Sequence, residues 1–151
     1  MSTFQSSFKT KFGFVLIIEK WGYITDINFE KSREKKINSK FSIIKKQIKE
    51  FLKGQNKKLN FKCKIKGSTT QLKVWNEIKK IPYGRTTSYN NIAKKLNLNP
   101  RQVGRICGEN KLLLYIPCHR VIRSDGSLGG YSSKGSIALK EKILKIERLN
   151  K

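Results

Sequence analysis

Phe12 to Lys20 and Tyr23 to Phe29 are rich in β-branched and aromatic residues, a pattern that predicts two strands, with Trp21-Gly22 as the turn of a hairpin. Phe41, Ile44, Ile48, Phe51 and Leu52 then recur at helical spacing, and Gly54 follows as a stop. Leu59, Phe61, Cys63 and Ile65 alternate with Asn60, Lys62, Lys64 and Lys66, the pattern of a strand with one buried face. These elements predict a small N-terminal α/β domain with an antiparallel sheet and no chemical motif. A boundary near residue 66 divides the chain into 1–66 and 67–151.

Gly67-Ser68-Thr69 is a helix-start signal, and Leu72, Trp75 and Ile78 carry a helix that ends before Pro82-Tyr83-Gly84. Thr86-Thr87-Ser88 supplies capping hydroxyls for a short helix, Tyr89 to Leu96. Pro100 suits the first turn of a second one, through Arg101, Val103, Ile106 and Cys107. Two short helices joined by a tight polar turn, with cations on the second, describe a helix-turn-helix; an ordinary helical hairpin has the same pattern. Leu112 to Ile116 predicts a buried strand and Pro117 to Ile122 an extended segment. A turn at Ser124 to Ser127, a glycine-containing loop at Leu128 to Ser133 and a basic helix from about Ser136 to Leu149 complete the chain. The fold class is therefore α+β, with a mainly helical C-terminal domain.

Composition changes this picture in one direction. The chain of 151 residues has 34 Lys and Arg against 10 Asp and Glu, a net charge of +24, which points to a polyanionic partner. With 37% hydrophobic residues it can build a core, which excludes whole-chain disorder. The longest apolar run, Phe14 to Ile18, is far too short to span a bilayer, and no signal-peptide pattern precedes it, so the expectation is a soluble intracellular protein. Cys63, Cys107 and Cys118 are odd in number, widely spaced and without a C-x-x-C clip, which argues against both a disulfide framework and a zinc site.

Cys118 stands beside the chain's single histidine, His119, and near the glycine-containing loop, which makes it the best nucleophile candidate. Adjacent side chains on an extended segment diverge, so His119 is expected to act on Cys118 through a water or after a backbone turn. A carboxylate must then orient the imidazole. Glu141 is the leading candidate, on a helix that can pack back against Pro117 to Ile122.

Ile116-Pro117-Cys118-His119-Arg120-Val121 resembles the active-site signature of the O6-alkylguanine-DNA alkyltransferases, the methylated-DNA–protein-cysteine methyltransferases. Ile81-Pro82-Tyr83-Gly84, Ser88-Tyr89, Arg101-Gln102-Val103-Gly104, Asn110 and Gly129-Gly130-Tyr131-Ser132 follow the family's pattern in order and spacing over about residues 69 to 147. The N-terminal third matches in length and general pattern only.

The resemblance implies a ribonuclease H-like N-terminal domain and a DNA repair protein, acting once per molecule and without metal or cofactor. Cys118 would accept the alkyl group, with His119, a water and Glu141 generating thiolate. Asn110 would be a hinge. Tyr89 would donate to the guanine ring nitrogen, and the Val121 carbonyl would accept from its exocyclic amine. Gly130, Tyr131, Ser132 and Ser133 would close the pocket. Arg101 would enter the base stack, and Ser88, Gln102, Gly104 and Arg105 would meet the DNA with it. The family usually has small residues where Gln102 and Ile106 stand, and often glycine at Ser133. The implied partner is double-stranded DNA containing alkylated guanine, met by a monomer in the cytoplasm, or in the nucleus of a eukaryote. A lesion-binding relative with Trp in place of the nucleophile, a helix-turn-helix regulator without chemistry and a cysteine hydrolase are the alternatives. The presence of Cys118 favours repair over the first, and the adjacency of Cys118 and His119 counts against the last.

Overall fold

Trp21 and Gly22 both take positive φ, 56° and 79°, the hand that a two-residue hairpin loop needs to match the twist of its strands. In the computed structural model, which describes residues 3–30, 41–131 and 136–151, that loop joins two strands of a three-stranded antiparallel sheet. The strands are β1 (Thr3–Thr10), β2 (Gly13–Lys20) and β3 (Tyr23–Glu30), in that order across the sheet. Val15 faces both Phe8 and Phe29, and Ile17 faces Ile27, so one sheet face is apolar and buried. The sequence pattern misses β1, because Phe8 is its only large buried apolar residue, Phe4 is exposed, and the polar Ser6 and Ser7 are buried beside Phe8. Helix α1 (Ser42–Leu52) buries Ile48, Phe51 and Leu52, as its spacing predicts.

Two predicted strands do not form. Residues 59–66 keep the alternation of buried and exposed side chains, yet pair with β3 only at a parallel bridge between Ile24 and Cys63. Ile24 N–H donates to Lys62 O at 2.8 Å, and Lys64 N–H to Ile24 O at 2.9 Å. The next part of the same edge is taken by Leu112, with Ile27 N–H donating to Lys111 O at 2.8 Å. One short strand edge is thus shared by two chain segments. Leu112 to Ile116 cannot extend either, since Leu114 sits at φ 73° and turns the chain back, Ile116 N–H donating to Leu112 O at 2.9 Å.

The C-terminal half is built on well-capped helices. Ser68 and Gln71 form a reciprocal capping box at the start of α2 (Thr69–Lys79). Ser88 caps α3 (Tyr89–Leu96), and Asn97, in the left-handed region at φ 57°, ends it. Asn99 caps α4 (Pro100–Gly108), with Pro100 in the first turn. Trp75 Nε1 on α2 donates to Ile106 O at 3.2 Å and holds α4 in place. The two-residue strands β4 (Thr87–Ser88) and β5 (Val121–Ile122) pair in parallel, and α5 (Ile137–Asn150), capped by Ser136, closes the fold. The buried apolar residues run without a break from the sheet into these helices. The result is a mixed α/β fold, and no helix among the described residues is long and apolar enough to cross a membrane.

Candidate active site

Pro117 redirects the chain, and Cys118–Arg120 form a single 3-10 turn where extended backbone was expected. The turn sends adjacent side chains to different places. Cys118 reaches the wall of a cavity of about 500 Å³ between α3, α4 and the loop at Gly129 to Tyr131, whereas His119 is fully buried behind it. Asn110, also buried, fixes the nucleophile from the other side. Its Nδ2 donates to Ile116 O at 2.9 Å and to Cys118 Sγ at 3.2 Å, and its Oδ1 accepts from Leu112 N–H at 2.9 Å. One side chain therefore ties the end of α4 to both limbs of the turn that carries Cys118.

The carboxylate partner of His119 is Glu147, not Glu141. His119 Nε2 and Glu147 Oε2 are 2.6 Å apart. Arg120 clasps the same carboxylate, Nε to Oε1 at 2.8 Å and a terminal nitrogen to Oε2 at 3.0 Å, and Gly84 N–H donates to Oε1 at 3.2 Å. Glu141 is exposed. The reason is helical phase: Leu139, Lys140, Ile143, Leu144 and Glu147 form the buried stripe of α5, and Glu141 points away from it. Ile137, although apolar, lies off this stripe and is 55% exposed.

Burial alone would raise the Glu147 carboxyl, but its bonds and charges to His119 and Arg120 hold it at about 2. Burial lowers His119 despite the favourable Glu147, so the imidazole is neutral at rest. A carboxylate only accepts, so Nε2 carries the proton and Nδ1 is left as the bare base. Nδ1 is buried with no hydrogen-bond partner among the described residues. Burial pushes the Cys118 thiol well above its ordinary value, and the adjacent Cys107 adds to this. The Asn110 hydrogen bond and the Lys140 charge pull the other way.

Lys140 is fully buried, and the sequence reading missed it. Its Nζ donates to Leu128 O at 2.6 Å, Val121 O at 2.7 Å, Gly130 O at 2.9 Å and Tyr89 Oη at 3.2 Å. Burial depresses it to about 8, against the opposing pull of Cys107 and Cys118. Tyr89 Oη in turn donates to Gly130 O at 3.4 Å, and burial raises its hydroxyl to about 12. Gly129 lies against that ring at φ 69°; a Cβ there would meet Tyr89 Oη at 3.0 Å.

The cavity thus gathers Tyr89, Arg101, Gly104, Cys118, Gly130 and Tyr131 of the expected residues. Gln102 and Arg105 line an adjoining open groove along α4 with Arg101. Ser88 serves as a helix cap, and Val121 lies outside the cavity wall with its carbonyl engaged by Lys140. Ser132 and Ser133 lie outside the described residues.

Residues 69–149, more than half of the chain, match the model of the 6-O-methylguanine DNA methyltransferase DNA-binding domain. The chain belongs to this family. The inducible methylated-DNA–protein-cysteine methyltransferase of Bacillus subtilis is 39% identical over 104 residues, covering 68% of this chain and 57% of the relative. The methylated-DNA–protein-cysteine methyltransferase of Metallosphaera sedula is 28% identical over 144 residues, covering 93% and 90%. The Mycobacterium tuberculosis OGT, solved in complex with DNA, superposes with a TM-score of 0.86 at 26% identity, over 97% of this chain and 93% of that one. The chain spans only 57% and 65% of the B. subtilis and Methanosarcina acetivorans relatives it matches. Within this 6-O-methylguanine DNA methyltransferase family, the Cys118 turn, Asn110, the His119–Glu147–Arg120 cluster and Lys140 all fall in the matched region.

Proposed function

We propose that this protein repairs duplex DNA by transferring the alkyl group of O6-alkylguanine irreversibly to Cys118. The observation that carries the reading is a cysteine in the wall of a base-sized cavity beside a basic helix, backed by a buried His–Glu pair. A stacked base cannot present its O6 substituent to such a cavity, so the nucleotide rotates out, at a cost of a few kcal/mol. The finer fold reading belongs to this proposal. Helices α3 and α4 form a helix-turn-helix whose second helix meets the minor groove, on a ribonuclease H-like N-terminal unit of about residues 1–66 with the DNA-binding unit at 67–151.

Each side chain then has a task. The Cys118 proton passes through a water to His119 Nδ1, and the resulting imidazolium is neutralised by Glu147. Thiolate attacks the alkyl carbon; the C–S bond forms, the C–O6 bond breaks, and its electron pair goes to the guanine. Tyr89, kept protonated by its raised hydroxyl, donates to the ring nitrogen as that charge develops. The product is a thioether, which water does not hydrolyse, so each molecule acts once. Arg101 fills the space left in the stack, and a Cβ at Gly104 meets nothing closer than the Tyr89 ring at 3.9 Å, which leaves its outer face open to DNA. Asn110 holds Cys118, and Gly130 and Tyr131 close over the cavity.

The deciding measurement is intact and peptide mass after mixing with an oligonucleotide containing O6-methylguanine. One methylene is gained on the tryptic peptide Leu112–Arg120, and Cys118→Ala gains nothing. No gain in the wild type ends the proposal. The +24 charge predicts affinity for undamaged DNA that falls with salt by about 0.9 in log–log slope per neutralised phosphate, with little sequence preference. Arg101→Ala is expected to slow transfer from duplex roughly 10- to 100-fold, the worth of one lost stacking contact, with no effect on transfer from the free base. Equal losses on both substrates would remove Arg101 from the flipping step.

A further inference from the structure

Alkyl transfer leaves a second thiol in the cavity without a task. Cys107, 6% exposed on the last turn of α4, lines the same wall as Cys118, which is 3% exposed. Asn110 links the two residues, its N–H donating to Cys107 O at 3.3 Å and its Nδ2 to Cys118 Sγ at 3.2 Å, and the Cys107 thiol is among the neighbours that raise Cys118. Neither belongs to a disulfide. A buried free cysteine is ordinarily a small, inert hydrophobe. Cys63, half-buried, is closer to that description: it lies on the β3 edge away from the cavity, its thiol pushed up to about 12 by burial. Cys107 differs because its nearest reactive neighbour is the nucleophile itself.

We propose that Cys107 is a resolving thiol for Cys118, so that a peroxide reaching the cavity produces a reversible Cys107–Cys118 disulfide. In the first step the Cys118 thiolate attacks one oxygen of the peroxide. An S–O bond forms, the O–O bond breaks, and the other oxygen leaves as an alcohol, or as water from hydrogen peroxide, after taking up a proton. The sulfur is oxidised by two electrons to sulfenic acid. In the second step the Cys107 sulfur attacks Cys118 Sγ; the S–S bond forms, the S–O bond breaks, and the hydroxyl departs as water with the Cys107 proton.

The physical case is one of competition. A nucleophile that must ionise near neutral pH is oxidisable for the same reason, and beyond sulfenic acid the oxidation to sulfinic acid is not undone by thiols. A thiol on the same cavity wall intercepts the sulfenic acid before a second peroxide arrives. The chain between the two cysteines includes Asn110 and the turn at Leu114, so the bridge ties the end of α4 to the Cys118 turn and blocks the acceptor until a dithiol reduces it. The protective consequence rests on Cys118 being the alkyl acceptor; the pairing does not.

The test treats DNA-free protein with a small excess of hydrogen peroxide, blocks remaining thiols and maps peptides without reduction. Wild type is expected to lose two hydrogens and to yield Ile106–Lys111 joined to Leu112–Arg120. Alkyl transfer disappears and returns on dithiothreitol. In Cys107→Ser, and in Cys107→Ala as a second variant with its fold checked by thermal melting, the Cys118 peptide gains two or three oxygens instead. The fraction of each variant's own untreated rate recovered by dithiothreitol then falls close to nil. Sulfinic acid accumulating in wild type as fast as in the variants, or a joined peptide containing Cys63, overturns the proposal. Because peptide mass needs no alkyl transfer, failure of the pairing and failure of the repair reading are separately visible.

Discussion

Glu147→Gln is expected to destabilise the fold by about 3 to 5 kcal/mol, the usual penalty for removing one partner of a buried ion pair. The carboxylate accepts four hydrogen bonds, from His119, Arg120 twice and Gly84. An amide can accept at one atom only and turns its N–H2 toward the Arg120 guanidinium, which stays charged and loses its counterion. Chemical denaturation measures the loss. Its pH dependence is a second check. The folded carboxyl at about 2 lies below its ordinary 4.5, so Glu147 contributes stability that is present above 4.5 and lost as pH falls toward 2. The amplitude is roughly 3 kcal/mol at 1.36 kcal/mol per unit. His119, lowered by burial below 6.5, acts in the same direction at higher pH, because the unfolded imidazole binds a proton that the folded one refuses. Wild type thus loses stability stepwise from about 6.5 downward, and Glu147→Gln lacks the lower step. Alkyl transfer slows roughly a hundredfold, for loss of the charge that holds imidazolium. Glu141→Gln, on the exposed side of α5, leaves stability within about 0.5 kcal/mol and transfer unchanged. A reversal of these two outcomes would return the relay to Glu141.

The contrast between those two glutamates marks where sequence reasoning stops. Periodicity and caps placed α1 to α4 well, since Ser68, Ser88, Asn99 and Pro100 act through local chemistry that the letters display. The nucleophile was legible because Pro117-Cys118-His119-Arg120 sits in an ordered set of motifs. What was not legible depends on partners far along the chain. The alternation at residues 59–66 predicts a strand correctly as to burial and wrongly as to pairing, because β3 had only one edge to share. On α5 a polar residue inside the buried stripe was the available signal. Lys140 and Glu147 stand seven positions apart among Leu139, Ile143 and Leu144, and two charges on an apolar stripe are expensive unless they are partnered. Following phase rather than proximity to Cys118 selects Glu147 over Glu141 and brings Lys140 into the site.

Lys140→Met is expected to slow alkyl transfer roughly a hundredfold while changing stability by no more than about 2 kcal/mol. Two effects oppose each other in stability. The ammonium bonds three backbone carbonyls, each a charge-assisted contact, and losing it leaves those oxygens without their donor. Yet burial has brought it from 10.5 to about 8, so keeping it charged at neutral pH costs roughly 3 kcal/mol, which methionine does not incur. The effects nearly cancel in the fold but not in the chemistry. The same cation favours thiolate at Cys118 and joins Val121, Leu128, Gly130 and Tyr89 around one atom, so its loss both weakens the nucleophile and loosens the wall that receives the base. The pH dependence separates this from a purely structural role. In wild type the single-turnover rate rises below 6.5 as His119 becomes the neutral base that takes the Cys118 proton, and falls again through about 8 as the ammonium loses its proton. Lys140→Arg, whose side chain stays protonated, keeps the rising limb and lacks the falling one. Stability follows the opposite course: between about 8 and 10.5 the unfolded lysine binds a proton that the folded one has released, so wild type gains stability as pH rises through that window. Lys140→Met abolishes that gain. A methionine variant that transfers at the wild-type rate, or a wild-type rate with no fall near 8, would leave Lys140 a structural clasp with no part in ionising Cys118.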